Sequence, residues 1–218
     1  MKPHHTPGLS RLIIVAMAFV SGFCIMTIEM LGARIMSPYF GGSQYVWGSI
    51  ITIFMLALAL GYLLGGRLSS HNPNPVTYAM FFIGAGLFSL PIILFADVIM
   101  QPIFMTIEDP RYGSLLASII MYIVPTSILG MISPYSVRLL VSSREDSGRM
   151  AGLLFFISTI GSAAGTLGTS FYFVLWFEVN QILWGCIAAL VLAGCIILGA
   201  NYLAKSNAVL ASVPHYEK

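Results

Sequence analysis

The sequence predicts an all-α fold: a polytopic membrane bundle of six transmembrane helices, with one further interfacial or re-entrant segment on its outer side. Three observations carry this. Hydrophobic residues make up 58% of the 218 positions and charged residues only 8%, against roughly 25% charged in a soluble domain, too few to solvate a globular surface. Apolar runs recur along the whole chain, and six of them reach the ~20 residues that a helix needs to cross a hydrocarbon core. These runs must be helical, because lipid offers no hydrogen-bond partner to an open backbone. One membrane domain follows, at 12–204, between an N-terminal tail at 1–11 and a C-terminal tail at 205–218.

The first run, 12–33, is longer than a signal-peptide core and lacks an A-x-A cleavage site, so it reads as a retained helix. Glu29 interrupts it. The following Pro/Gly-rich stretch from Ser37 to Gly42 predicts a turn into a second helix at 44–66, and the other helices are expected to pack around this hairpin. A third helix is expected at 76–96. The segment 91–110 is apolar but contains Pro91, Asp97 and Pro102, which argues against a full crossing and for a helix lying at the interface. The fourth helix, 112–137, carries Pro125 mid-span and should kink there, because proline removes a helical hydrogen bond. The fifth and sixth, 150–177 and 179–204, are divided only by Glu178 and Asn180.

Loop charge sets the orientation. With six spans, one side collects Lys2, Arg11, Arg67, Arg138, Arg144, Arg149, Lys205 and Lys218, and the other only Arg34 and Arg111, which together are all ten basic residues. Both termini are therefore expected in the cytoplasm, with the protein in the cell (inner) membrane. The outer side instead carries Asp97, Glu108, Asp109 and Glu178, and all three tryptophans (Trp47, Trp176, Trp184) fall near outer helix ends. The net charge of +2 is dispersed and leaves no nucleic-acid footprint.

Glycines mark helix contacts. Gly61 and Gly65 form a small-xxx-small pair, and Gly161, Gly165 and Gly168 line one face of the fifth helix, where close backbone approach drives association in lipid. Cys24, Cys186 and Cys195 read as packing residues, since the last two are nine positions apart on one helix, roughly 13 Å at 1.5 Å per residue, too far to bridge. No metal site or cofactor is expected. His4, His5, His71 and His215 have no carboxylate at ligand spacing, and phosphate-loop, zincin and nucleophile-elbow motifs are absent.

Two groups of residues carry candidate function. Glu29 lies 17 residues past Leu12, roughly 25 Å along a helix, and an ionisable residue at such depth usually faces the bundle interior and marks a pathway or site. The alternative is a side chain that reaches to the outer headgroups. Arg34, five residues on, is not helically paired with it, although a chain break at Ser37-Pro38 would bring the two together. The charged loop holding Arg138, Arg144 and Arg149 fixes topology and meets headgroups, or docks a soluble partner. Met36-Ser-Pro-Tyr39 after the first helix and Ile132-Ser-Pro-Tyr135 after the fourth hint at an inverted repeat of three plus three helices, an architecture common among transporters.

The blocks Glu29-Met-Leu-Gly-Ala-Arg34, Ser37-Pro-Tyr-Phe-Gly-Gly-Ser-Gln-Tyr-Val-Trp47, Leu58-Ala-Leu-Gly-Tyr-Leu-Leu-Gly-Gly-Arg-Leu68, Gly130-Met-Ile-Ser-Pro-Tyr-Ser-Val-Arg138, and Gly148-Arg-Met-Ala-Gly152 through Gly161-Ser-Ala-Ala-Gly-Thr166 resemble the membrane domain of the spermidine synthase-like family, often described as fused transporter-like/spermidine synthases. In that family the helices usually precede a soluble aminopropyltransferase or methyltransferase-like domain. The sequence ends at Lys218, about 14 residues after the last expected helix, so no catalytic residue carries over. What the resemblance implies is a membrane site at Glu29, Arg34 and Tyr39, and a bundle similar to half of a major facilitator transporter. The expected function is a non-catalytic membrane subunit that docks a soluble aminopropyltransferase-like or methyltransferase-like enzyme, or handles a small cationic metabolite such as a polyamine. The alternatives are a half-sized transporter, alone or as a homo-oligomer, and a structural subunit of a membrane complex.

Overall fold

The structure, a computed structural model, describes residues 9–70, 73–141 and 147–211. It is a helical bundle of α1 (Arg11–Phe40), α2 (Gln44–Ser69), α3 (Pro75–Leu94), α4 (Ala96–Thr106), α5 (Pro110–Leu140), α6 (Ser147–Gly168), a π-helical turn at Thr169–Phe173, α7 (Val174–Trp176) and α8 (Val179–Ala211). Six helical segments are long and apolar enough to cross a membrane: α1, α2, α3, α5, α6 through α7, and α8. The chain is therefore an integral membrane protein of all-α class. The described chain starts and finishes at one end of the bundle, here the terminal face; the opposite end is the far face.

The helix starts follow from capping chemistry. Ser10 accepts a hydrogen bond from the Ile13 amide ahead of α1, Asn74 Oδ1 accepts from the Val76 amide at 2.9 Å, and Asp109 Oδ1 from the Arg111 amide at 2.9 Å. Each satisfies one of the amides that a first turn leaves free. At 11 residues, α4 spans roughly 16 Å at 1.5 Å rise and is too short to cross. It lies against α1 and α5 near the far face.

Three expectations are corrected. The chain does not break at Ser37-Pro38: α1 continues through Pro38 to Phe40, and the reversal falls at Gly41, whose φ of 76° is open to glycine at little cost. Pro38 is tolerated because only the last turn is affected. Likewise Ile132-Ser-Pro-Tyr135 lies inside α5 and not after it. Finally, the α1–α2 hairpin is not the packing unit. Its arms part, α2 packing chiefly on α5 and α1 on α6, while α3 pairs with α8.

These three pairings are related to one another. A methyl group added at Gly61 would strike the Ser127 carbonyl and Gly130, and one at Gly65 would strike the Met131 backbone; one at Gly161 meets the Phe19 carbonyl, and one at Gly165 the Phe23 backbone. In return Gly130 abuts Leu58 and Gly61, and Gly22 abuts Ser158. A shift of 108 positions carries Phe19, Gly22 and Phe23 onto Ser127, Gly130 and Met131, and a shift of 100 carries Leu58, Gly61 and Gly65 onto Ser158, Gly161 and Gly165. The α2–α5 and α1–α6 interfaces are thus the same interface in the same register.

The third pair obeys the same rule with itself. Gly86 faces the Ile187 carbonyl and Val191, while Gly194 faces the Ala79 carbonyl and Ile83, and the shift of 108 interchanges these two sets. Burial follows suit: Ile50, Phe54, Gly61, Gly65 and Ser69 are buried on α2, and Met150, Leu154, Gly161, Gly165 and Thr169 on the fifth span. Each half holds three spans, so equivalent spans run in opposite directions, which makes the repeat an inverted one about an axis in the membrane plane. The Ser-Pro-Tyr pair is not its signature. Ser37 and Ser133 are 96 positions apart, about three helical turns out of register.

Candidate functional site

The candidate site lies where α1 faces α5. Glu29, Gly32 and Met36 recur at helical spacing on one face of α1. Gly32 lies against the ring and hydroxyl of Tyr122, the Ser118 hydroxyl reaches Met36 Sδ at 3.5 Å, and Gly113 meets the Phe40 ring. Contacts that climb α1 descend α5, so the helices are antiparallel, and the same register brings Pro125 and Thr126 to the level of Glu29. A methyl group at position 32 would come within 3.2 Å of the Tyr122 ring and hydroxyl, so the ring would have to give way slightly.

Two polar groups in this seam lack partners. Glu29 is 8% exposed and makes no hydrogen bond or ion pair among the described residues. The Tyr122 hydroxyl is fully buried and likewise has no partner, its ring held against Phe54 at 5.4 Å between centroids. Pro125 adds a third polar element, because it cannot donate to the Met121 carbonyl one turn earlier. A buried group without a partner costs about 1–3 kcal/mol, more if charged, so the seam is polar at a position where an apolar residue would stabilise the bundle.

The other expected site residues fall elsewhere. Arg34 is exposed on the far face and lines an open groove of about 600 Å³ with Trp176, Phe177, Glu178 and Gln181. Tyr39 donates to Asp97 Oδ1 at 2.7 Å and packs edge-on against Phe104, which ties α4 to the end of α1. Its counterpart Tyr135 accepts from the Asn74 amide at 2.8 Å, stacks on Tyr78 and meets Phe81 edge-on. Both Ser-Pro-Tyr tyrosines therefore clamp a neighbouring helix start. Glu29, Arg34 and Tyr39 occupy three separate places.

Arg138 and Arg149 are exposed in the last turn of α5 and the first turn of α6, on the terminal face. Arg144 lies outside the described residues. Of the glycines, Gly61, Gly65, Gly161 and Gly165 sit at helix crossings, whereas Gly168 faces Phe173 of its own span. The next interface position is Thr169, whose hydroxyl lies 3.2 Å from that of Thr27. Sequence reasoning missed Tyr122 and the contacts made at Gly32, Gly22, Gly130 and Gly194, whereas Gly86, in Gly84-Ala-Gly86 within an apolar run, reads as a packing residue and is one. Only the glycines left a signal, as helix-interior residues without a turn to explain them.

No family model, no curated protein and no solved structure matches the chain.

Proposed function

We propose that this integral membrane protein binds and moves a small cationic solute, such as a polyamine, through the seam between α1 and α5, with the terminal face in the cytoplasm of the cell (inner) membrane. The observation that carries the reading is Glu29, an acidic residue only 8% exposed within a span and without a cationic partner among the described residues. Holding a charged group there uncompensated is unfavourable, and a bound cation offsets that cost. The Tyr122 hydroxyl and the uncoupled Met121 carbonyl supply further oxygens in the same seam. An inverted repeat of two three-helix halves favours transport over a purely structural role. The sequence blocks around Glu29 to Trp47 resemble the membrane domain of the spermidine synthase-like family, whose soluble domain is usually aminopropyltransferase-like or methyltransferase-like, and this favours a polyamine as the solute.

The test is flux of radiolabelled spermidine into proteoliposomes holding the purified protein. Wild type should show saturable flux, Glu29→Asp should retain part of it, and Glu29→Gln should lose it while purifying in equal amount. Absence of wild-type flux, or full flux in Glu29→Gln, would defeat the reading.

A further inference from the structure

The groove on the far face is lined, among the described residues, by none of α5, and it is independent of the seam that holds Glu29. Its place follows from the packing of α1 on the fifth span. These two helices are parallel, so their contacts climb together: Phe19 meets Gly161, Phe23 meets Gly165, and the Thr27 and Thr169 hydroxyls lie 3.2 Å apart. Higher still, the Ser170 hydroxyl reaches Met30 Sδ at 3.7 Å. Arg34 is one turn further on, roughly 35 Å along α1 from Arg11 at 1.5 Å per residue, and so at the limit of a hydrocarbon core about 30 Å thick. At that level the fifth span ends with Trp176, and only Phe177 and Glu178 join it to α8.

Arg34, Leu175, Trp176, Phe177, Glu178 and Gln181 line the groove, whose volume of about 600 Å³ is that of a small-ligand site. It holds charge of both signs. Arg34 and Glu178 share this space, yet neither side chain forms an ion pair or hydrogen bond with the other or with any other described residue. Gln181 Oε1 accepts from the Glu178 amide at 3.1 Å, which leaves the Gln181 amide hydrogens available to a guest. Leu175 and Trp176 are 73% and 79% exposed and carry the lining toward lipid, tryptophan being a side chain suited to headgroup depth. Opposite charges that line one groove without touching fit a ligand that itself carries both signs. A position at the hydrocarbon boundary, with exposed apolar side chains on its rim, selects a ligand with acyl chains.

From this we infer that the groove binds the headgroup of an ethanolamine phospholipid of the far leaflet, with its phosphodiester on Arg34 and Gln181 and its primary ammonium on Glu178. Arginine suits the phosphate because its guanidinium presents paired N–H donors. Glu178 discriminates among amines, since a primary ammonium donates hydrogen bonds to a carboxylate and a quaternary one has none to give. The test is native mass spectrometry of the full-length protein in detergent, titrated with dioleoyl phosphatidylethanolamine, phosphatidylcholine or phosphatidylglycerol. Wild type should hold phosphatidylethanolamine about tenfold more tightly than the other two, as one hydrogen bond to a charged group supplies. Glu178→Gln should abolish that preference, Glu178→Lys should turn it toward phosphatidylglycerol, and Arg34→Gln should weaken all three lipids. Both residues are exposed, so these substitutions leave the packed core intact. Equal affinities in wild type, or a preference that survives in Glu178→Gln, would overturn the assignment. Displacement of the lipid by equimolar soluble phosphoethanolamine or spermidine would also overturn it, and would mark the groove as a site for free solutes.

Discussion

Tyr122 shows most clearly how a single side chain separates function from stability. Its hydroxyl is fully buried without a partner, and the aromatic body alone satisfies the packing against Gly32 and Phe54. Removing a buried, unpaired hydroxyl restores roughly 1 kcal/mol. Tyr122→Phe should therefore unfold in detergent at a temperature equal to or above wild type, while spermidine flux falls. A Tyr122→Phe protein less stable by more than about 1 kcal/mol would mean that the hydroxyl has a native partner. Glu29 was visible in the sequence because a carboxylate stands out within an apolar run. Tyr122 was not, since its isolation depends on which neighbour covers it.

Among the elements, the six spans were legible because length and apolarity are set by the bilayer, and their ends agree with the expected ones to within a turn or two except where α1 and α8 run on. What was not legible is which face meets which neighbour. These helices are apolar nearly all round, so periodicity carries little direction. The glycine pairs at 61 and 65 and at 161 and 165 pointed to close crossings, but their partners on α5 and α1 required coordinates. Glycines at helix crossings and glycines facing open space should respond differently to alanine. Gly61→Ala and Gly161→Ala place a methyl group against a carbonyl oxygen and should each cost about 1–3 kcal/mol, as overpacking does. Gly66→Ala and Gly199→Ala meet open space and should be neutral or stabilising by up to about 1 kcal/mol, through helix propensity. Thermal melts of the four variants in one detergent check this, and equal destabilisation of all four would contradict it.

At the scale of the whole molecule, one relation organises the bundle. A shift of 108 positions accounts for the α3–α8 contact with itself and, together with a shift of 100 from α2 to α6, equates α2–α5 with α1–α6, although the two halves share few identical residues. Sequence alone hinted at three plus three helices through Ser-Pro-Tyr, which proved to be a tyrosine clamp used twice and not the repeat. Helix-crossing glycines preserve the register because nothing larger fits, whereas lipid-facing positions are free to diverge. The π-helical turn at Thr169–Phe173 interrupts regular helix in the fifth span, whereas Pro125 lies at the middle of the continuous α5 and removes one backbone hydrogen bond there.

The most direct measurement of the inverted repeat is a pair of spin-label distances in reconstituted protein. Met55 with Val124 reports the α2–α5 crossing, and Phe155 with Ala16 reports the equivalent α6–α1 crossing; all four side chains are exposed on the bundle surface. The repeat predicts coincident distance distributions for the two pairs. Clearly different distributions would show that the two interfaces are unrelated, and the proposal of transport through the α1–α5 seam would lose the support of the repeat.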